Sequence, residues 1–276
     1  HIPSAPMQLG GRIVVVTGAS GGIGRALARA AHAAGARGVV VSDIQPAGIE
    51  ELAGALDAAR PGSALAVACD IGTEAGNEAL IGAAEAAFGQ VDVFFANAGI
   101  GGGTDLEHTP ADGWRAAFAV NVEAHVHAAT RLVPGWIERG EGYFCSTASA
   151  AGLLTQIGSG PYSASKHAAV GFAEWLSVTY HDRGVRVSCL CPMGVNTNML
   201  NGSSGGVDRL SGDVVRAAGV VLEPEQVAAI VLDHIDREQF LILPHPEVAT
   251  FEQRKAQDRE RWLAGMRRLQ SRVAGG

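Results

Sequence analysis

A doubly wound α/β fold, with a mainly parallel sheet of seven strands and helices on both faces, is what this 276-residue sequence predicts. Three observations predict it. Short apolar runs alternate with helical stretches along the chain, as repeated β–α units do. The strand runs lack polar alternation, which suits a parallel sheet covered on both faces. No linker and no repeat of solenoid period divides the chain, and a 47% hydrophobic composition supplies one substantial core.

The elements follow in order. Apolar Arg12–Thr17 is the first strand, and a helix over Ile23–Ala34 follows its glycine-rich turn. Gly38–Asp43 is the second strand. A helix near Ala47–Ala59 leads to the strand Ala64–Asp70. Thr73–Phe88 reads as a helix and Val91–Ala96 as the fourth strand. One long helix is expected around Ala111–Glu138. Then come the strand Gly142–Ser146, the helix Tyr162–Arg183 and the strand Val185–Cys191. A helix over Pro224–Asp236 precedes a last strand, Phe240–Leu243. These place a single domain at residues 10–243, after a disordered or expression-derived leader of residues 1–9 in which Met7 is a candidate native start. Two segments break the rhythm. Residues 198–219 hold Asn201-Gly202-Ser203-Ser204-Gly205-Gly206, flexible by composition, and read as a substrate lid or an ordinary surface loop. Residues 244–276 are rich in arginine, with Trp262, Met266, Leu269 and Val273 at helical spacing; this extension reads as a helix packed on its own domain or as a subunit contact.

Bulk properties exclude several function classes. A net charge of −7 and a pI near 5.7 argue against a nucleic-acid partner, which needs a basic surface. No run approaches the ~18 apolar residues of a membrane span. No charged segment followed by an apolar one opens the chain, so secretion is not expected. Cys69, Cys145, Cys189 and Cys191 form no Cys-x-x-Cys pair, sit in or beside apolar runs, and read as buried thiols of a reduced compartment. The nine histidines show no metal-binding spacing, with His125 and His127 two apart on a helix and His245 boxed by Pro244 and Pro246.

The chemistry lies in three places. Gly18, Gly22 and Gly24 follow a strand and open a helix, the context in which glycines let a backbone approach a pyrophosphate at a helix N-terminus. Asp43 ends the second strand, nineteen residues after Gly24. A carboxylate there accepts from a ribose diol and repels a 2′-phosphate by about 4 kcal/mol per charge pair at ~4 Å and effective dielectric ~20, before screening. No Arg or Lys occupies Ala19–Gly22 or the two residues after Asp43, so NAD is favoured over NADP. Third, Tyr162 and Lys166 lie one turn apart on one face of a helix, with Ser149 thirteen residues before Tyr162. A neighbouring cation stabilises phenolate, and lowering a phenol from ~10 to ~8 takes roughly 2.7 kcal/mol. Ser146 competes for the serine role, and the thirteen-residue spacing selects Ser149.

Together these motifs resemble the classical short-chain dehydrogenase/reductase family over roughly Gly10–Leu243, and the fold it implies is Rossmann-type. The resemblance implies that Tyr162 is the acid/base, that Lys166 lowers its pKa and holds the nicotinamide ribose, that Ser149 polarises the substrate oxygen, and that Asn121 holds a water in the proton relay. It further implies that Gly18, Ser20, Gly22, Ile23 and Gly24 receive the NAD pyrophosphate side and Asp43 the ribose. Ile44, Asp70 and Ile71 would bound the adenine. Asn97, Ala98 and Gly99 match the family's Asn-Ala-Gly turn, and Pro192, Val195 and Thr197 match its carboxamide-holding segment, where Met193 replaces the usual glycine. Ile100, Leu153, Leu154, Ile157, Met193, Met199 and Leu200 are expected to line the substrate pocket, with no Arg or Lys besides Lys166 placed to bind an anion. The expected reaction is hydride transfer between NAD and a lipophilic secondary alcohol or ketone, cyclic or steroid-like, rather than a sugar phosphate or free hydroxy acid. The family implies a cytoplasmic homotetramer or dimer paired through the helices at Ala111–Glu138 and Tyr162–Arg183. The rival readings are an NADP-linked ketoreductase and a non-catalytic NAD(H)-binding regulator.

Overall fold

Seven parallel strands form one sheet in the order β3-β2-β1-β4-β5-β6-β7 in the computed structural model, which describes residues 7–103, 105–202 and 209–274. The strands are β1 (Ile13–Thr17), β2 (Gly38–Asp43), β3 (Ala64–Ala68), β4 (Val93–Ala96), β5 (Gly142–Thr147), β6 (Val185–Leu190) and the short β7 (Leu241–Ile242). The doubly wound sheet is the fold the sequence predicts.

The apolar runs lack alternation because the central strands bury both faces and the edge strand β3 is partly covered on both. Val14 and Val16 point into one layer, packed under α1 (Gly22–Ala33), α2 (Pro46–Ala59) and α10 (Pro224–Asp236) with Leu27, Leu52 and Val231. Ile13 and Val15 point into the other, with Ile81, Trp136 and Leu176 from α3 (Glu74–Phe88), α5 (Ala124–Arg139) and α7 (Gly160–Tyr180). Val14 pairs with Val39 on one side and Val93 on the other, so β1 is central and the strand order turns back between β1 and β4. Ligands of open parallel sheets bind at such a reversal, beyond the carboxyl ends of the strands.

Several boundaries differ from the sequence reading. Met7 and Leu9, assigned to a disordered leader, are buried in the α1 layer. The single helix expected over Ala111–Glu138 is interrupted: α4 (Ala111–Phe118) runs into a π-helical turn, Ala119–Glu123, before α5. Asn121 is fully buried in that turn and bonds across to neighbouring segments, which is the kind of site where a widened turn occurs. A short helix α6 (Ala151–Leu154), absent from the sequence reading, separates Ser149 from Tyr162.

The segment 198–219 holds α8 (Asn198–Asn201) and α9 (Arg209–Ala218); the Ser-Gly run at 203–208 lies outside the described residues. The C-terminal extension is two helices, α11 (Glu247–Gln257) and α12 (Arg259–Ala274). They break at Asp258, whose carboxylate accepts from the Arg261 amide at 2.9 Å and so caps α12. The extension packs on its own chain, α11 against α6 and α12 against α9.

Candidate active site

The glycine turn is shaped by what it must avoid. Gly18 leaves β1 at φ 65°, and a Cβ there would sit 2.8 Å from the Cα of Ala98. A Cβ on Gly24 would overlap the Gly18 carbonyl oxygen and lie 2.6 Å from Nδ2 of Asn97. Glycine alone lets the turn close against residues 97–99. Asn97 locks that closure, donating to the Thr17 carbonyl at 3.0 Å and accepting from Thr147 Oγ1 at 3.2 Å. At the head of α1, Gly21 supplies no side-chain cap and the first turn holds no acid. The helix therefore keeps unsatisfied N–H groups and an unneutralised positive end, suited to a pyrophosphate. Opposite stands Thr197, whose Cγ2 would be 3.0 Å from a Cβ on Gly22.

Asp43 is held at the outer rim of this cradle. Ser20 Oγ donates to its Oδ2 at 2.6 Å, and the Gln45 amide donates to Oδ1 at 3.2 Å. The neighbouring cation, Arg25, is committed to Glu51 at 2.6 Å and to the Gly48 carbonyl. Ile44 is 67% exposed beside Asp43. Asp70 is exposed and accepts from the Gly72 amide, whereas Ile71 is buried in the α3 layer rather than presented at the rim.

Gly160 and Pro161 start α7, so Tyr162 falls in its first turn and Lys166 one turn later. Ser149, Tyr162 and Lys166 are all buried. Lys166 Nζ lies 5.7 Å from the Tyr162 ring centroid and donates to the Thr147 carbonyl at 2.8 Å. Burial pushes the Tyr162 phenol up, and a side-chain hydrogen bond with Ser149 works in the opposite direction. Burial also draws Lys166 down to about 8, against the pull of Cys189 and Cys191. The sequence reading expects Lys166 to lower the phenol; burial is instead the largest influence and raises it, and the ammonium is turned toward the Thr147 carbonyl. The competing Ser146 hydrogen-bonds His125 Nδ1 at 3.1 Å and is fully buried, which leaves Ser149 as the serine facing the phenol.

The Asn121 side chain is shut off from solvent. Its Oδ1 accepts from the Ile100 amide, and its Nδ2 donates to the Ile100 carbonyl and Ser165 Oγ, all at 2.9 Å. Both Nδ2 protons are committed while Oδ1 keeps a second lone pair, and the side chain clasps the β4 loop to α7. Oδ1 of Asn121 and Nζ of Lys166 lie 3.3 and 3.2 Å from where a Gly99 Cβ would be, so Gly99 leaves room between them.

The expected pocket residues divide. Leu154, with Leu153 and Met193 beside it, packs into a satellite cluster with Val248, Phe251 and Trp262. Leu154 and Ile157 also line a cavity bounded by α12. Ile100 is partly exposed, Met199 half-buried and Leu200 buried. Val195 is buried and bridges Leu222. Pro192 accepts from the Ala150 amide at 2.8 Å, tying the β6 segment to the serine loop. Four residues escaped the sequence reading. His245 is buried, accepts from the Met193 amide at Nδ1 and donates from Nε2 toward the Gly194 and Val220 carbonyls, each at 3.1 Å. Lys255, Arg259 and Arg267 come to the same cavity as Ile157, which corrects the expectation that no cation besides Lys166 is placed there. Two flanking prolines were the only local signal for His245; nothing local marked Lys255.

His125 beneath the site has a consequence for stability. Its Nε2 is buried without a partner among the described residues. Burial, and then the charge of Lys166, lower it to about 3 from 6.5. The unfolded chain takes up this proton between those values and the folded chain does not, so stability is lost as pH falls through that window. The slope is about 1.4 kcal/mol per pH unit. Urea unfolding at pH 7, 6 and 5 should show this decline in the wild type and a flatter one in His125→Leu; equal slopes would assign the decline to other groups.

A family model described as short chain dehydrogenase matches residues 12–206. The chain belongs to the short-chain dehydrogenase family. Among curated members, it is 38% identical over 246 residues to 1-deoxy-11-beta-hydroxypentalenate dehydrogenase of Streptomyces exfoliatus, covering 87% of this chain and 86% of that one. It is 31% identical over 226 residues to meso-2,3-butanediol dehydrogenase of Serratia marcescens, covering 82% and 87%. A short chain dehydrogenase/reductase from Burkholderia phymatum, solved in complex with NAD, superposes with a TM-score of 0.83 at 30% identity, covering 92% of this chain and 96% of that one. A 3-ketoacyl-(acyl-carrier-protein) reductase from Brucella melitensis complexed with NADH gives 0.76 at 26% identity, covering 86% and 98%. This short-chain dehydrogenase is thus an oxidoreductase whose family core spans strands β1 to β6, the glycine turn and the Ser149–Tyr162–Lys166 group.

Proposed function

We propose that the enzyme interconverts a lipophilic secondary alcohol and its ketone with NAD as the hydride carrier. The observation that carries this reading is the meeting of Ser149, Tyr162 and Lys166, all buried, with the Lys166 ammonium close to Gly99 of the turn that closes on the glycine loop. The residues fit a dinucleotide: the close glycine contacts and the uncapped head of α1 suit a pyrophosphate, and Asp43 suits an unsubstituted ribose diol. When bound, the nicotinamide supplies the hydride acceptor or donor. Tyr162 then gives or takes the carbinol proton, Ser149 hydrogen-bonds the same oxygen, and Lys166 sets a positive charge beneath the phenol. The relatives named for a hydroxypentalenate and a butanediol are dehydrogenases of hydroxylated compounds, in keeping with this class. A panel of secondary alcohols with NAD and with NADP, followed at 340 nm, tests it; NADH binding with no oxidation of any alcohol would favour a regulator instead.

Coenzyme choice rests on Asp43. Because Ser20 and Gln45 hold the carboxylate in place, it cannot swing away from a 2′-phosphate without losing both bonds. Asp43→Ala is expected to weaken NAD and raise kcat/KM for NADP by roughly tenfold, less than the unscreened ~4 kcal/mol because the rim is wet. A wild type that already prefers NADP would overturn the carboxylate argument.

The assembly we propose is a homodimer or homotetramer. Val126, Trp175 and Val178 are 37, 53 and 86% exposed on the outer faces of α5 and α7, around a groove of about 570 Å³ that Phe172 and Tyr180 also line. Such a contiguous apolar face suits burial against a second copy, and light scattering reads the mass. Among the described residues no helix is long and apolar enough to cross a membrane, and we place the enzyme in the cytoplasm.

A further inference from the structure

The C-terminal extension closes a cavity of about 410 Å³ against the loop that joins α6 to α7. Leu154, Ile157 and Gly160 form the loop wall, and Gly160 is two residues before Tyr162. The opposite wall is one face of α12. Arg259, Trp262, Leu263, Met266 and Arg267 recur there at helical spacing, which puts an apolar strip between two guanidinium groups. Neither arginine makes an ion pair among the described residues. A third cation comes from α11: Lys255 is 9% exposed, donates to the Leu153 carbonyl, and stands 3.4 Å from Nε2 of His167. Among the described residues no carboxylate lines this cavity. A lysine buried this far beside a neutral carbonyl and an imidazole, with two unpaired guanidinium groups at the mouth, makes the cavity wall positive; the carboxylate that acts on Lys255, Glu252, lies outside the lining.

We propose that this cavity is an anion subsite that takes the carboxylate of a lipophilic acid, the carboxylate set between Arg259, Arg267 and Lys255 and the hydrocarbon against Trp262 and Leu263. This rests on the reading of the neighbouring site as one for a lipophilic alcohol and narrows it to a hydroxy or keto acid of that kind. The chemistry favours carboxylate: guanidinium binds it through parallel N–H donors, and the apolar strip covers the rest of the molecule. The recognition element sits in residues 255–267, outside the matched family core of residues 12–206. Two members with the same catalytic group can thus differ in the charge of what they accept.

The test uses a pair of probes of one shape and different charge, adamantane-1-carboxylate and adamantane-1-carboxamide, titrated into the full-length enzyme by calorimetry. The carboxylate should bind at least tenfold tighter, and added sodium chloride should weaken it alone. In the double variant Arg259→Gln/Arg267→Gln, the carboxylate should fall to the affinity of the carboxamide, and the carboxamide should be unchanged. Both arginines are exposed, so the melting temperature should match wild type. Equal affinities in the wild type, no binding of either probe, or an undiminished preference in the double variant would each overturn the subsite. Neither probe has a carbinol, so the outcome is separate from hydride transfer. An enzyme that prefers the carboxylate yet oxidises no alcohol would keep the subsite and remove the catalytic reading.

Discussion

Tyr162→Phe is expected to lower kcat by at least ~10²–10⁴-fold, the usual worth of a positioned acid–base group. The ring is buried and packs as before, so the phenylalanine keeps its place in the first turn of α7. What disappears is the hydroxyl that meets Ser149. The glycine turn, Asp43 and Thr197 do not touch that oxygen, so NADH affinity, read by fluorescence titration, should stay within a few-fold of wild type. A loss of kcat with intact NADH binding is the signature of a missing proton donor. Activity within tenfold of wild type would remove Tyr162 from the mechanism.

Lys166→Met should separate function from stability. The ammonium is buried, and its folded-state pKa of about 8 lies below the 10.5 of the unfolded chain. Below pH 8 both states are charged and the folded one bears the desolvation cost; between 8 and 10.5 the unfolded chain binds the extra proton, so stability rises with pH. Replacing the ammonium by a thioether removes a cost of about 3 kcal/mol at neutral pH. Against this stands the lost hydrogen bond to the Thr147 carbonyl, about 1–3 kcal/mol. The variant should therefore unfold at equal or higher urea, with its stability flat between pH 8 and 10. Its kcat should fall by at least ~10²-fold, because no charge remains beneath the phenol. A variant both inactive and markedly less stable would mean that Lys166 serves chiefly as a structural tie.

What the sequence made legible follows from range. The strands were legible because the central ones bury two faces, so Val14 and Val15 are both apolar though they enter opposite layers. The pair Tyr162–Lys166 is one helical turn, and the glycine cradle is seven residues long; local geometry alone implies their proximity. The rest depended on partners remote in the chain. Asn121 reads as a helix residue until Ser165, 44 positions away, and Ile100 claim its amide and widen the turn. Lys255 reads as one charge in a basic tail, because the Leu153 carbonyl that holds it is 102 positions distant. The direction of the Tyr162 pKa also depended on burial, which no spacing states.

His245 ties two parts of the molecule together. Its imidazole bonds at one edge to the Met193 amide and at the other to the carbonyls of Gly194 and Val220. The first two belong to the segment that follows β6; Val220 closes the lid region; the histidine opens the extension. The start of the extension is therefore also a splint for the backbone that follows β6. A tail transplanted from another member without a residue that can bridge three backbone groups would arrive with the right walls on a loosened frame.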